Sequence, residues 1–163
     1  MTQSFVWWPR ASCWRVLLVW VALSLIGTPS PARDLQGEES IADAWLVIVH
    51  PDVEGASVTR ELLADIFLKK ATRWGKGRAI APIDQSLRSP VRERFSREIL
   101  GKTPDEVLRY WRTQISSGKR PPRSKDTDTE VIEFVSAHEG AIGYVSVQAP
   151  LAEAAVKTLT VTD

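Results

Sequence analysis

The residues best placed to do chemistry in this chain fall in one short stretch, PIDQSLRSPVRERF, from Pro82 to Phe95. Asp84 and Gln85 close a strand-like run, Ser89-Pro90 opens a helix-like one, and Arg88 and Arg92 flank the opening. A helix start presents unpaired N–H groups and the positive end of the helix dipole. The Ser89 hydroxyl, the amides of Val91 and Arg92, the Gln85 side-chain amide and the Arg88 and Arg92 guanidinium groups could therefore meet a small oxyanion. The same residues also describe a helix start that binds nothing. Serine is a favoured N-cap worth roughly 1 kcal/mol, and proline suits the first helical position, where its missing N–H is no loss. The surroundings favour an anion: from Lys69 to Arg97 there are nine Lys and Arg against Asp84 and Glu93. Asp84 itself opposes one.

Other chemistries find little support. The chain has two histidines, His50 and His138, with no spacing that would assemble a metal site. There is no nucleophile-elbow serine, no phosphate loop and no metal-binding pair on a helix. The expectation is a binding protein, not an enzyme, with no cofactor. A basic loop, Lys119 to Lys125, admits nucleic acid as a partner, but the near-neutral total charge argues against it. The loop also suits an acidic partner or an anionic membrane face. Trp74, between a helix end and two glycines, reads as packing more than as a ligand-stacking ring.

The first 32 residues read as a secretory signal: no acid, Arg10 and Arg15, an apolar run of eleven residues from Val16 to Ile26, then Ser30 and Ala32 at the spacing of a cleavage site. The run is short for a bilayer span, although flanking tryptophans would suit an uncleaved anchor. Cleavage after Ala32 removes Cys13 and turns the formal charge of +1 into −1. The mature chain then has no thiol chemistry in a periplasmic or extracellular compartment. Residues 33–44 read as a polar, flexible arm and 45–163 as one domain.

The elements that must position the junction follow from periodicity. WLVIVH is a strand buried on both faces. VTRELLADIFLKK is a helix capped by Thr59, with Leu62, Leu63, Ile66 and Phe67 on one face. RAIAPI is a strand that ends, or sits at an edge, at Pro82. After the junction, Val91, Phe95 and Ile99 form a buried stripe with Arg92 largely outward. A capping box at Thr103 opens a helix burying Val107, Leu108, Trp111 and Ile115. The segment from Ser116 to Asp126 reads as a loop, Thr127 caps a further helix, and AIGYVSV and VKTLTV are strands. Alternating strands and helices predict an α/β fold with a mixed, mostly parallel sheet flanked by helices.

Four segments in this order, LVIVHP, TRELLADIFLKKATRWGKGRAIAPIDQ, SPVRERFSREILG and EGAIGYVSV, resemble the phosphate-binding proteins of ABC phosphate transporters. These are type II periplasmic binding proteins, and the likeness is greater to their short, stand-alone PBP-like domain relatives. The resemblance implies a single lobe of a two-lobed oxyanion clamp, with phosphate as the ligand and a membrane transporter or sensor protein as partner. It implies a site at an Arg-x-x-x-Ser-Gly-Thr run on a helix start. Ser89 keeps that serine, but Pro90 stands for the glycine, Val91 for the threonine and Gln85 for the arginine. Two further readings follow from the substitutions and the missing lobe. One is an interaction module that has lost its ligand. The other is a homodimer in which two lobes rebuild the clamp.

Overall fold

The structure, a computed structural model, describes residues 41–163 apart from Lys76. The expected signal segment and most of the expected arm lie outside the described residues, which begin with a single 3-10 turn at Ile41–Asp43. Six strands and four α-helices follow. They are β1 (Trp45–Val49), β2 (Ser57–Thr59), α1 (Arg60–Phe67), β3 (Ala81–Gln85), α2 (Pro90–Glu98), α3 (Pro104–Ser116), β4 (Arg123–Lys125), α4 (Asp128–Ala137), β5 (Ala141–Ser146) and β6 (Lys157–Thr162).

The strands form one sheet in the order β2-β6-β1-β5-β3-β4. Three ladders are parallel, β2 with β6, β5 with β3, and β3 with β4. Two are antiparallel, and both involve β1. The C-terminal ends of β3 and β5 therefore lie at the same end of the sheet as the N-terminus of β1. Alternate side chains go to opposite faces. Val47, Val49, Ile142 and Tyr144 pack with Leu63, Ile66 and Phe67 of α1 and Phe95 of α2. Ile48, Ile83 and Val145 pack with Val131 and Val135 of α4. The result is a layer of helix on each face of the sheet.

Local signals account for most boundaries. Thr59, Ser89, Thr103 and Thr127 each accept a hydrogen bond from an amide in the first turn of the helix they cap, and Thr103 and Thr127 complete capping boxes with Glu106 and Glu130. Gly143 is required by packing. A Cβ there would come within 2.8 Å of both Ile83 Cγ2 and Val131 Cγ1, so its bare backbone lets α4 approach the sheet.

Five local expectations are corrected. The strand at Pro82 neither ends there nor lies at an edge: it runs on to Gln85 between β5 and β4, and the β4 ladder begins only at Ile83, one residue past the proline. Part of the basic loop is β4, whose pairing to β3 outweighs its poor strand composition. A short strand, β2, precedes α1 and pairs with the C-terminal β6, a non-local contact that local pattern does not reveal. Leu62 and Ile115, placed on buried faces by helical spacing, are exposed. Arg92, expected to face outward, is buried at 8 % exposure because a carboxylate awaits it inside.

Candidate functional site

The junction between β3 and α2 is held by a polar network inside the domain. Asp84 ends buried between α2 and β5. One of its oxygens pairs with the Arg92 guanidinium at 3.0 Å. The other accepts the Gln85 amide at 2.9 Å and the hydroxyl of Tyr144. Arg92 also donates to the Gln85 carbonyl, so one guanidinium straps the first turn of α2 to the end of β3. Its Nε is buried without a partner.

The Gln85 side chain is equally committed. Its Nε2 donates to Asp128 at 2.7 Å and to the Tyr144 carbonyl at 3.1 Å, and its Oε1 accepts from the Ser89 hydroxyl. Ser89 in turn accepts the Arg92 amide at 3.3 Å. Asp128 receives the Ser146 amide as well, at 3.2 Å. Burial pushes the Asp84 carboxyl above its ordinary range, against the pull of Arg92, the Tyr144 hydroxyl and the Gln85 amide. Burial and the neighbouring Asp84 raise the Tyr144 phenol well above its ordinary value, so it remains a proton donor in this network.

Beside the start of α2 lies an open cavity of about 290 Å³. Gln85, Arg88, Ser89 and Val91 line one side of it, and Asp126 and Asp128 line another. Four of the five residues singled out in the sequence thus surround one space. Arg92 does not: its charge is turned inward to Asp84. Arg88 is exposed and forms no ion pair among the described residues. Two carboxylates in the wall work against a fully ionised dianion, and the amide of Val91 and the Arg88 guanidinium work for an anion.

Asp84 was visible in the sequence as an opposing charge. Its partner Tyr144, inside the otherwise apolar AIGYVS, and Asp128, in the first turn of α4, were missed. A tyrosine in a fully buried strand was the available signal, because its hydroxyl needs an acceptor.

A second polar cluster ties the opposite end of the sheet. His50 Nδ1 lies 2.5 Å from Asp52, which accepts the Gly140 amide at 3.2 Å and pairs with Arg78 at 2.5 Å. Trp74 donates its indole N–H to the Gly140 carbonyl at 2.9 Å and packs on the core. These contacts join the end of β1, the turn at residues 73–79 and the start of β5. His138 caps the end of α4, with its Nδ1 2.8 Å from the Phe134 carbonyl oxygen. Among the described residues no group of three His, Cys, Asp or Glu could hold a metal ion.

No protein-family model and no curated protein matches the sequence. Solved structures do match its fold. A protein described as a phosphate ABC transporter substrate-binding protein from Clostridium perfringens, crystallised with bound phosphate, superposes with a TM-score of 0.57 at 22% identity, over 72% of this chain and 44% of its own. PstS from Borrelia burgdorferi gives 0.57 at 19% identity, over 74% and 47%. An ABC-type phosphate transport receptor from Vibrio cholerae gives 0.55 at 19%, over 73% and 47%. The chain therefore spans less than half the length of these structures. It has the α/β fold expected from the resemblance.

Proposed function

We propose that the chain is an exported solute-binding-type lobe that takes a small oxyanion, phosphate being the candidate, weakly at the cavity beside α2. The observation that carries this reading is the convergence of Gln85, Arg88, Ser89 and Val91 on that one space, within a fold shared with a protein solved with phosphate bound. Weak affinity follows from the electrostatics. One guanidinium is spent on Asp84, and Asp126 and Asp128 stand in the wall. A protonated oxyanion can donate a hydrogen bond to a carboxylate, whereas sulfate cannot, so the wall favours phosphate. Isothermal titration of the purified chain with phosphate and with sulfate at low ionic strength tests it. Heat with phosphate that is lost in Arg88→Ala supports the site; no heat at millimolar phosphate ends the proposal.

The Asp84–Arg92 pair favours a second reading, in which the protein has given up its ligand and serves as an interaction module for a membrane transporter or sensor protein. An internal carboxylate already occupies the guanidinium that an anion would need. Under that reading, binding of such a partner is indifferent to added phosphate and to Ser89→Ala.

A further inference from the structure

On the side of α3 lies a larger groove, of about 430 Å³. Leu87, Leu108, Trp111, Ile115, Pro121 and Pro122 wall it. Leu87 is 50 % and Ile115 55 % exposed, whereas Trp111 at 6 % forms a recessed floor. Two exposed apolar side chains beside a recessed indole give this concavity an apolar lining that a partner's side chain could cover.

The rim is cationic. Arg88 and Arg112 line the groove. From Val107 to Lys125 the chain carries six Lys and Arg and no acid. Arg109 and Lys125 have distant carboxylate partners, at 3.9 Å and 3.7 Å. Arg112, Lys119, Arg120 and Arg123 form no ion pair among the described residues. The one acid on the floor, Asp84, is neutralised by Arg92. The complement of such a groove is an apolar side chain flanked by carboxylates.

We propose that this groove docks an acidic peptide segment of a partner protein. An apolar side chain of that segment enters between α3 and the Pro121-Pro122 segment, and its carboxylates meet Arg88 and Arg112, the two free cations among the described residues that line the groove, with Lys119 and Arg120 adjoining the prolines in sequence. A lipid surface fits less well, because the apolar floor at Trp111 is recessed and a flat bilayer would reach only the rim. The proposal does not depend on oxyanion binding; only Ser86 and Arg88 are common to both cavities.

The test is fluorescence anisotropy of the purified chain with a fluorescein-labelled octapeptide of glutamates carrying Leu and Trp at its two central positions. The control peptide has Ser at those positions. Binding of the first peptide, weaker at high salt and weakened about tenfold or more by Arg112→Glu and by Ile115→Ser, is the expected result. Both side chains are exposed, and matching melting temperatures show that the variants fold; should Ile115→Ser melt early, Arg112→Glu decides. Ser89→Ala leaves peptide affinity unchanged, which separates this surface from the oxyanion cavity. Absence of binding, equal binding of the serine control, unchanged affinity in Arg112→Glu, or retention on phosphatidylglycerol vesicles at least as strong as on the peptide would overturn it.

Discussion

Phe95 lies flat on Tyr144, with ring centroids 3.8 Å apart and planes within 5°, and the hydroxyl of the same tyrosine donates to Asp84. The first aromatic belongs to α2 and the second to β5, so the helix that opens the candidate site is registered against the sheet by a ring contact and a polar one together. Phe67 packs edge-on against both rings. Tyr144→Phe keeps the stack and removes the donor. The expected cost is about 1.5–3 kcal/mol, the range for a hydrogen bond to a charged group, read by urea denaturation. Tyr144→Leu should cost more, because the aromatic contact is lost as well; equal losses would mean that the hydroxyl contributes all of the tyrosine's stabilisation.

Asp84→Asn leaves the Arg92 guanidinium buried without its counter-ion. Breaking such a pair costs about 3–5 kcal/mol, and Asp84→Asn combined with Arg92→Met should recover much of it. If the oxyanion proposal is right, the single variant also binds phosphate more tightly than the wild type, since the freed charge can turn to an incoming anion. Calorimetry showing lower stability with no gain in phosphate heat would separate the architectural role of the pair from any role in binding.

Gly143→Ala places a methyl group against Ile83 and Val131 where no room exists. Overpacking of this kind costs about 1–3 kcal/mol. Trimming one neighbour with Ile83→Val should return part of the loss, and a melting temperature unchanged in the single variant would show that α4 can shift away from the sheet.

The Asp52 carboxyl gives a pH dependence of definite sign. Burial raises it, but the Gly140 amide, His50 and Arg78 outweigh that and hold it below its ordinary 3.8. A folded value lower than the unfolded one means that the native state favours the carboxylate. The stability it supplies is present above the ordinary value and fades as pH falls through the folded one. Asp52→Asn should therefore melt below the wild type near neutral pH, with the gap narrowing in acid below about pH 4. A gap that widens on acidification would contradict the assignment.

Export has its own check. Cleavage after Ala32 predicts that Edman sequencing of protein recovered from the periplasm starts at Arg33; a chain that remains with membranes and keeps Met1 would instead be anchored.

The helix caps, the two long core strands and the stripe Val91, Phe95, Ile99 were legible in sequence because each rests on residues a few positions apart. So was the identity of the junction. Its chemistry was not. The sequence places Asp84 beside Gln85 but does not say that Arg92, eight residues on, turns inward to meet it, since helical spacing alone reads that side chain as largely outward. Tyr144 and Asp128 come from sequence distances at which no local pattern speaks. The two shortest strands escaped for a similar reason: each is defined by a pairing partner, β6 for Val58 and β3 for Ser124, and not by its own composition.

The sheet ends on both sides in strands of three residues, β2 and β4. Unpaired backbone at a rim is what templates the stacking of further copies into fibrils, and so little of it is on offer here that such growth has almost nothing to start from. Among the described residues, contact between copies is therefore better served by helix faces and grooves than by the two short rims.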